Sequence, residues 1–377
     1  MAVENSLPIA LWAIPVPEFG GVARHVVDVA RTGLPGYELV VLVQDGVLAE
    51  KLEELGTRVI KSNFGVSAGF LESAKKLVAT IAEVQPAVVH SHLAYADVVA
   101  CAVLNFLRLR KLVQKNFRVP LLVTTEHGIA GNDSVYHSKA IKARGRSLLH
   151  RLRLIFTDRA IAVSHSTAKE MKNKWGAREV EVIYNGIDSE KIRSARAEFY
   201  TTGNEPPRIL SLARLAPEKG LDILIEAFAE VVKVHPQARL ELAGEGDLQE
   251  ELEIQVNQLG IKNSVVFSGF VNHSEALGRS NILVQLSVWE NMSYTLLDAK
   301  TAGLHVLATD VGGNPEILRQ QELLPSLAQT SREKLIQAVV EALTTPRETK
   351  EKEPFTWANT QHMTEQIARV YTGEKNV

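Results

Sequence analysis

The 377-residue chain lacks the features that mark several classes of protein. It has one cysteine, Cys101, so it has no disulfide framework, and the apolar run around this cysteine favours a small core residue over a nucleophile. No apolar run reaches the length of a membrane-spanning helix. Pro8, Pro15 and Pro17 interrupt the stretch that a signal peptide would need, so we expect a cytoplasmic protein.

Charge is nearly balanced, with a formal net charge of −2, which argues against a dedicated nucleic-acid binder. The basic residues are nevertheless unevenly placed. Residues 108–118 hold five of them and residues 139–153 hold six, with no acid in either run. Leucines interleave the second run, which fits a basic amphipathic helix resting on anionic lipid headgroups. A solvated helix face explains the pattern equally well, so peripheral contact with the inner face of a membrane is one of two interpretations.

Short apolar runs alternate with helical patterns almost throughout, as in a parallel sheet built from βαβ units. The length suits two α/β domains of about 180 residues each. The polar segment from Asp188 to Pro207 is the expected linker between them. The candidate strands before it are 8–14, 38–43, 57–61, 87–91, 120–125, 159–163 and 180–184, and those after it are 208–213, 239–243, 264–268, 282–286 and 305–308.

Two cations, Arg214 and Lys219, follow the first strand of the second series. Fixed cations stabilise the negative charge that develops on a departing diphosphate more in the transition state than in the ground state. Arginine can fork across two oxygens, whereas lysine acts as a point charge. Taken alone, a strand end with surface charges explains this pair at least as well.

Glu290 and Asp298 lie eight residues apart after the strand at 282–286. On one helix they would be separated by about 12 Å along the axis, with Glu290 at the N-terminus, where free N–H groups suit a phosphate. The N–H groups of Asn291, Met292 and Ser293 would then face a diphosphate. The two carboxylates would hold hydroxyl groups at both ends of a long ligand, and a nucleotide-sugar has that layout.

These segments resemble the retaining glycosyltransferases of family 4, whose GT-B fold has two Rossmann-like β/α/β domains facing each other across a cleft. Residues 290–298 resemble the family's Glu-x7-Glu signature, but Asp298 replaces the second glutamate. Residues 213–220 resemble its Gly-Arg-x4-Lys-Gly element, with Ala213 at the first glycine. The resemblance covers nearly the whole chain. It implies that Asp298 takes the ribose hydroxyls, and its carboxylate reaches about 1 Å less far than that of glutamate.

The resemblance also assigns residues outside those two motifs. Catalytic roles fall on Arg214, Lys219, Glu290 and His127, the last facing the transferred sugar. Further donor contacts come from glycine-rich turns and from a strand end beside the base: Gly20, Gly21, Gly244, Gly246 and Phe270. The acceptor side is bordered by Arg24, His90 and His92.

Three further expectations concern domains and metal. The resemblance implies an acceptor-binding domain at 1–187, completed by a C-terminal helix (355–377) that crosses back to it, and a donor-binding domain at 188–354. The histidines do not fall at zinc-ligand spacings, and there is no Asp-x-Asp pair of the kind that holds a divalent ion. We therefore expect no metal and no cofactor, with Arg214, Lys219 and a helix N-terminus replacing the cation.

The expected activity is retaining, metal-independent hexosyl transfer from a nucleoside diphosphate sugar, UDP-linked in the first instance, to a glycan or lipid-linked acceptor. Residues 289–294 resemble members that build bacterial surface polysaccharides on lipid carriers. One alternative is a nucleotide-sugar 2-epimerase, which shares the architecture. The other is a noncatalytic protein that binds sugar nucleotides, which gains weight from the shorter Asp298.

Overall fold

The computed structural model describes residues 7–111, 118–129, 140–199, 208–344 and 358–374. The chain divides into two compact units. The first unit comprises Met1–Gly186 and Trp357–Val377, and the second comprises Ile187–Thr356. The predicted first domain ended one residue later, and its C-terminal part began two residues earlier.

The first unit is built on a seven-stranded parallel sheet with strand order β3-β2-β1-β4-β5-β6-β7. Its strands are β1 (Ile9–Ala13), β2 (Glu38–Val43), β3 (Arg58–Lys61), β4 (Val88–His92), β5 (Leu121–Glu126), β6 (Arg159–Ala162) and β7 (Glu181–Val182). Its helices are α1 (Gly21–Thr32), α2 (Val47–Glu54), α3 (Phe70–Val84), α4 (Ala94–Lys111), α5 (Ala140–Ile155), α6 (His165–Trp175) and α14 (Thr360–Thr372).

Helices cover both faces of this sheet, because successive side chains of a strand point to opposite sides. In β1, Ala10 and Trp12 pack in the cluster that includes residues of α1 and α14, whereas Leu11 and Ala13 pack in the cluster that includes residues of α3 and α4. All four residues are fully buried. This burial on both faces explains the near-continuous apolar runs of the candidate strands.

The C-terminal helix α14 packs on the first unit, which confirms the predicted crossing back. Tyr371 of α14 accepts a hydrogen bond of 2.9 Å from Nε1 of the buried Trp12. Arg159 of β6 donates to the carbonyl oxygen of Val370. The last helix therefore completes the core of the unit in which the chain begins.

The second unit contains a six-stranded parallel sheet with strand order β10-β9-β8-β11-β12-β13. Its strands are β8 (Arg208–Leu212), β9 (Arg239–Ala243), β10 (Val265–Gly269), β11 (Ile282–Gln285), β12 (His305–Thr309) and β13 (Leu323–Leu324). Its helices are α7 (Ser189–Phe199), α8 (Leu221–Val234), α9 (Gln249–Gln258), α10 (His273–Gly278), α11 (Tyr294–Thr301), α12 (Asn314–Ile317) and α13 (Arg332–Thr344). Two doubly wound parallel sheets confirm the predicted fold class.

The structure corrects two expectations about local structure. Most of the expected linker is the helix α7, and residues 200–207 lie outside the described part of the chain. The helix that carries Asp298 begins only at Tyr294, so Glu290 precedes it in a loop. Among the described residues, no helix has both the length and the apolar character needed to cross a bilayer.

Candidate active site

In each unit, several candidate residues follow strands that flank a reversal in strand order. In the second sheet this reversal separates β8 from β11, and in the first it separates β1 from β4. Ligands of open α/β sheets bind at the carboxyl ends of strands at such a point. Arg214 and Lys219 follow β8, Glu290 follows β11, and His92 ends β4.

Glycines allow the loops of the second unit to touch through their backbones. A Cβ at Gly244 would lie 2.0 Å from the carbonyl oxygen of Ala213, and one at Gly246 would lie 2.3 Å from that of Leu215. A Cβ at Gly312 would lie 1.7 Å from the carbonyl oxygen of Glu290. These contacts leave no room for a side chain, so the glycines hold the loops that carry Arg214 and Glu290.

Lys219 and Glu290 form an ion pair although they are 71 residues apart in sequence. Lys219 lies in a 3-10 turn (Pro217–Lys219), and the N–H of Val288 bonds to the carbonyl oxygen of Glu218 in that turn at 2.8 Å. Ser287 also donates to Glu290 Oε1, at 2.8 Å. The side chain of Lys219 is 19% exposed and that of Glu290 is 15% exposed. The surrounding loops therefore hold the pair in place, and part of it remains accessible to solvent.

Arg214 lies at the rim of the same loop. Its side chain is 74% exposed, and its guanidinium bonds at 2.6 Å to the buried carboxylate of Glu218. Glu218 thus anchors one end of the guanidinium, leaving its exposed face directed to solvent. Phe270, which follows β10, is also exposed, at 72%.

Ser293 caps the helix α11. Its hydroxyl accepts from the N–H of Leu296 at 3.3 Å and donates to Gln285 Oε1 at 2.9 Å. Asn291 and Met292 are buried in the loop before the cap. Asp298 lies in the second turn of the helix and is only 2% exposed. Since Glu290 is outside the helix, the predicted 12 Å spacing along one axis is wrong.

In the first unit the predicted glycines open α1. Gly20 is the N-cap and Gly21 the first helical residue. A Cβ at either would meet no atom of the described residues within 4 Å, so none of these neighbours requires glycine there. One turn later, Arg24 pairs with Asp28 at 3.4 Å on the same helix.

Tyr371 determines the tautomer of His90. Because Trp12 Nε1 can only donate, the Tyr371 hydroxyl accepts its bond and turns its own proton to His90 Nδ1, 2.6 Å away. His90 Nε2 then carries the ring proton and donates it to Thr125 Oγ1 at 2.7 Å. Both ring nitrogens are used inside the fold, so no ring nitrogen of His90 remains for the predicted contact with an acceptor.

His92 and His127 are hydrogen-bonded to each other, with 2.8 Å between His92 Nδ1 and His127 Nε2. His92 is fully buried and His127 is half-buried, so His127 is the member of the pair that a ligand would meet. The ring of His25 lies 4.9 Å from that of His127 and 5.7 Å from that of His92. Sequence reasoning did not select His25, although it lies one turn into the helix that the predicted glycines open.

These histidines are neutral at pH 7. Burial lowers the pKa of His25 to about 4, against the opposing effect of a hydrogen bond with Asn185. Burial also lowers the pKa values of His90, His92 and His127 well below the usual range, and neighbouring histidines add to the effect. Neutral imidazoles can donate and accept hydrogen bonds to hydroxyl groups without bringing charge.

A buried ion network supports the strand that carries His127. Arg153 of α5 bonds to Glu126 and to Asp97 of α4, and all three side chains are at most 3% exposed. One cation faces two carboxylates, and burial raises the pKa of Glu126 to about 7 despite the opposing effect of Arg153. Its position in the basic run at 139–153 had suggested that Arg153 belongs to a membrane-facing surface. Because its side chain is buried, Arg153 does not contribute to such a surface.

Two family models match this chain, one in each half. Glycosyltransferase Family 4 matches residues 19–191, and Glycosyl transferases group 1 matches residues 195–354. This chain belongs to the family 4 glycosyltransferases. The recognition from sequence is thereby confirmed, and the chain is an enzyme that transfers sugars.

Relatives of this glycosyltransferase come from different organisms. It is 32% identical over 213 residues to an uncharacterized glycosyltransferase of Methanocaldococcus jannaschii, a match that spans 52% of this chain and 53% of that protein. It is 28% identical over 336 residues to the glycogen synthase of Mycobacterium tuberculosis, a match that spans 80% of this chain and 77% of that enzyme.

The fold is shared with solved glycosyltransferases. The crystal structure of Anabaena HepE with UDP-glucose superposes with a TM-score of 0.71 at 19% identity, covering 97% of this chain and 100% of that one. The structure of WaaG, a glycosyltransferase involved in lipopolysaccharide biosynthesis, gives 0.65 at 17% identity, covering 97% and 100%. The glycosyltransferase therefore has the GT-B fold.

Proposed function

We propose that this enzyme transfers a hexose from a nucleoside diphosphate sugar to a glycan or lipid-linked acceptor, with retention of anomeric configuration and without a metal ion. The observation that carries the proposal is the ion pair of Lys219 and Glu290 at the strand-order reversal of the second sheet. UDP is the first candidate nucleotide, because Anabaena HepE, which shares the fold, binds UDP and UDP-glucose.

In this proposal the cations meet the diphosphate and Glu290 meets the sugar. Among the described residues, the two side chains that donate to Glu290 both bond to Oε1, so Oε2 is the oxygen proposed to accept from a sugar hydroxyl. Lys219, held beside that carboxylate, is assigned to the phosphate nearest the sugar. Arg214 is assigned to the outer phosphate oxygens, because its guanidinium is exposed and can fork across two of them. Asp298 is assigned to the ribose hydroxyls and His127 to the transferred sugar.

The proposed reaction exchanges one bond at the anomeric carbon. The bond from this carbon to the phosphate oxygen breaks, and the acceptor hydroxyl attacks from the face that the phosphate leaves. The acceptor proton passes to the departing phosphate oxygen, which keeps atoms and charge in balance. Lys219 and Arg214 stabilise the charge that grows on the diphosphate, the role that a divalent cation fills elsewhere.

Replacement of Lys219 tests this proposal. Lys219→Ala should lower kcat by about 10²- to 10³-fold, as expected when a fixed charge beside a leaving group is removed. The assay measures release of the nucleoside diphosphate from a panel of UDP-, GDP- and ADP-sugars in the presence of EDTA. The matched control is Lys233→Ala, which removes an exposed lysine paired with Glu230 on α8.

The two variants should melt at similar temperatures, so that a loss of turnover in Lys219→Ala reports chemistry. Unchanged turnover in this variant would remove Lys219 from the mechanism. Interconversion of the donor sugar with the nucleotide still attached would show the 2-epimerase instead, and tight binding without any turnover would show a noncatalytic protein.

We also propose that the first unit contacts an anionic membrane through a surface on α4 and α5. Seven apolar side chains on α4, on α5 and directly after α5 are 43% to 66% exposed and define this surface: Phe106, Leu109, Leu148, Leu149, Leu152, Ile155 and Phe156. The two helix ends meet, because Asn105 and Arg108 of α4 both donate to the carbonyl oxygen of Phe156.

Exposed basic residues border this α4–α5 surface, namely Arg110, Lys111 and Arg151. Apolar side chains with basic neighbours suit the boundary between lipid headgroups and acyl chains. Residues 112–117, Lys139 and the side chains of residues 140–144 and 146 belong to the two predicted basic runs but lie outside the described part of the chain.

A further inference from the structure

Three histidines from separate parts of the sequence come together in the first unit. His25 lies on α1, His92 at the end of β4 and His127 directly after β5. One ring nitrogen of each lies within 4.8 Å of the other two. Their spacings in sequence, 67 and 35 residues, match no short metal motif, and the packing of α1 against the ends of β4 and β5 brings them together.

The three side chains offer the donor atoms that a metal ion requires. An imidazole nitrogen without a proton donates a lone pair, and one such ring position of each histidine is directed into the group. His92 Nε2 is buried, and among the described residues it has no hydrogen-bond partner. His90 lies beside the group with its ring 4.3 Å from that of His92, but Tyr371 and Thr125 occupy both its nitrogens.

We propose that His25, His92 and His127 form a binding site for a divalent transition-metal ion of the Zn²⁺ type, with a fourth position open. Imidazole is a preferred ligand of Zn²⁺, Co²⁺, Ni²⁺ and Cu²⁺. Zinc–nitrogen bonds of about 2.0–2.1 Å in a tetrahedral site place ligand nitrogens roughly 3.3 Å apart. The ligand nitrogens of the three histidines lie within 4.8 Å of one another, so they would close toward that spacing on binding an ion.

The proposed ion is an inhibitor and not a cofactor. His127 is the half-buried histidine that the proposed function assigns to the transferred sugar. An ion that engages its ring nitrogen withdraws this residue from the sugar. This inhibitory consequence depends on the proposed function, whereas metal binding itself does not.

Cobalt substitution tests the site directly on the intact chain. Metal-free protein is titrated with Co²⁺, and visible absorption is recorded, because four-coordinate Co²⁺ absorbs strongly and hexaaqua Co²⁺ only weakly. We expect one Co²⁺ per chain with strong visible bands, which Zn²⁺ then abolishes because it binds more tightly to such ligands. Zn²⁺ should also raise the melting temperature of the wild-type protein.

Three variants assign the signal to residues. His25→Asn and His92→Gln should each weaken Co²⁺ binding by at least about tenfold, since even an outer residue of a metal site contributes that much. His235→Asn, in the second unit, should bind as the wild type does. Melting without metal shows whether each variant is folded, and a variant that is not folded is replaced by His127→Asn.

The wild-type spectrum alone can overturn the proposal, because weak bands at saturating Co²⁺ exclude the site whatever the variants do. Equal binding by folded His25→Asn, His92→Gln and His235→Asn would also contradict it. Inhibition of donor turnover by Zn²⁺, reversed by EDTA, is expected in addition. Strong Co²⁺ bands without inhibition would support the site and place the error in the role assigned to His127.

Discussion

A longer side chain at position 298 should have opposite effects on affinity for UDP and on the free energy of unfolding. Asp298→Glu restores the reach of the family's usual glutamate, so affinity for UDP should be preserved or improved. Because Asp298 is only 2% exposed, the extra methylene should lower the free energy of unfolding by about 1–3 kcal/mol. Isothermal titration with UDP and urea unfolding measure the two effects separately.

Asp298→Asn is the matched control, since it keeps the size and removes the charge that would accept from ribose hydroxyls. It should bind UDP more weakly than the wild type does. A folded Asp298→Glu variant that loses UDP binding would show that Asp298 has another role.

Single residues also show what the sequence could predict. The motifs identified Lys219 and Glu290, and the structure brings them into contact. They did not identify His25, because its closeness to His92 and His127 depends on how three elements pack on one sheet. Nor did the basic run at 139–153 reveal that Arg153 turns inward, since its partners Asp97 and Glu126 come from distant segments.

At the scale of elements, alternation of apolar and polar runs predicted most strands within about two residues, because buried parallel strands leave a strong pattern. The start of α11 was missed. Ser293 caps that helix through Leu296, and nothing in the residues between Glu290 and Ser293 distinguishes a loop from a first turn. The expected linker became α7 because polar residues without glycine in its first part are compatible with a surface helix.

Charged substitutions on the α4–α5 surface should weaken membrane binding. Replacing both Leu149 and Leu152 by glutamate should reduce binding to anionic vesicles by about tenfold or more, since it removes apolar contact and adds like charge. Cosedimentation with vesicles of phosphatidylcholine and phosphatidylglycerol measures the change, and wild-type binding should fall as salt rises. Leu71→Glu on α3 is the control, because Leu71 is 74% exposed and outside this surface. Wild-type binding that ignores lipid charge and salt would contradict the proposal.

At the scale of the molecule, buried titratable groups set how stability depends on pH. The folded pKa of His25 is lowered to about 4, so between pH 6.5 and pH 4 the unfolded chain binds a proton that the folded chain does not. This difference lowers the free energy of unfolding by on the order of 3 kcal/mol as pH falls through that window. The lowered pKa values of His90, His92 and His127 act in the same direction.

Glu126 opposes this effect. Its folded pKa of about 7 lies above its usual value, so the folded chain binds the extra proton and gains stability as pH falls from 7 toward 4.5. Burial raises the pKa of Asp97 as well, but four histidines outweigh two carboxyl groups. We expect the urea midpoint to fall between pH 7 and pH 5, and to fall more steeply in Glu126→Gln. A midpoint that rises on acidification would contradict the assignment of neutral, buried histidines.

We propose retaining sugar transfer that depends on Lys219 and needs no metal. Proton NMR of the intact enzyme with UDP-sugars in excess EDTA tests this proposal, because slow hydrolysis of the donor reveals the stereochemistry even without the acceptor. We expect release of UDP, with the first-formed free sugar in the anomeric configuration of the donor and with turnover at least about 10²-fold lower in Lys219→Ala. First-formed sugar of the opposite configuration, or a sugar epimerised while still linked to UDP, would contradict it.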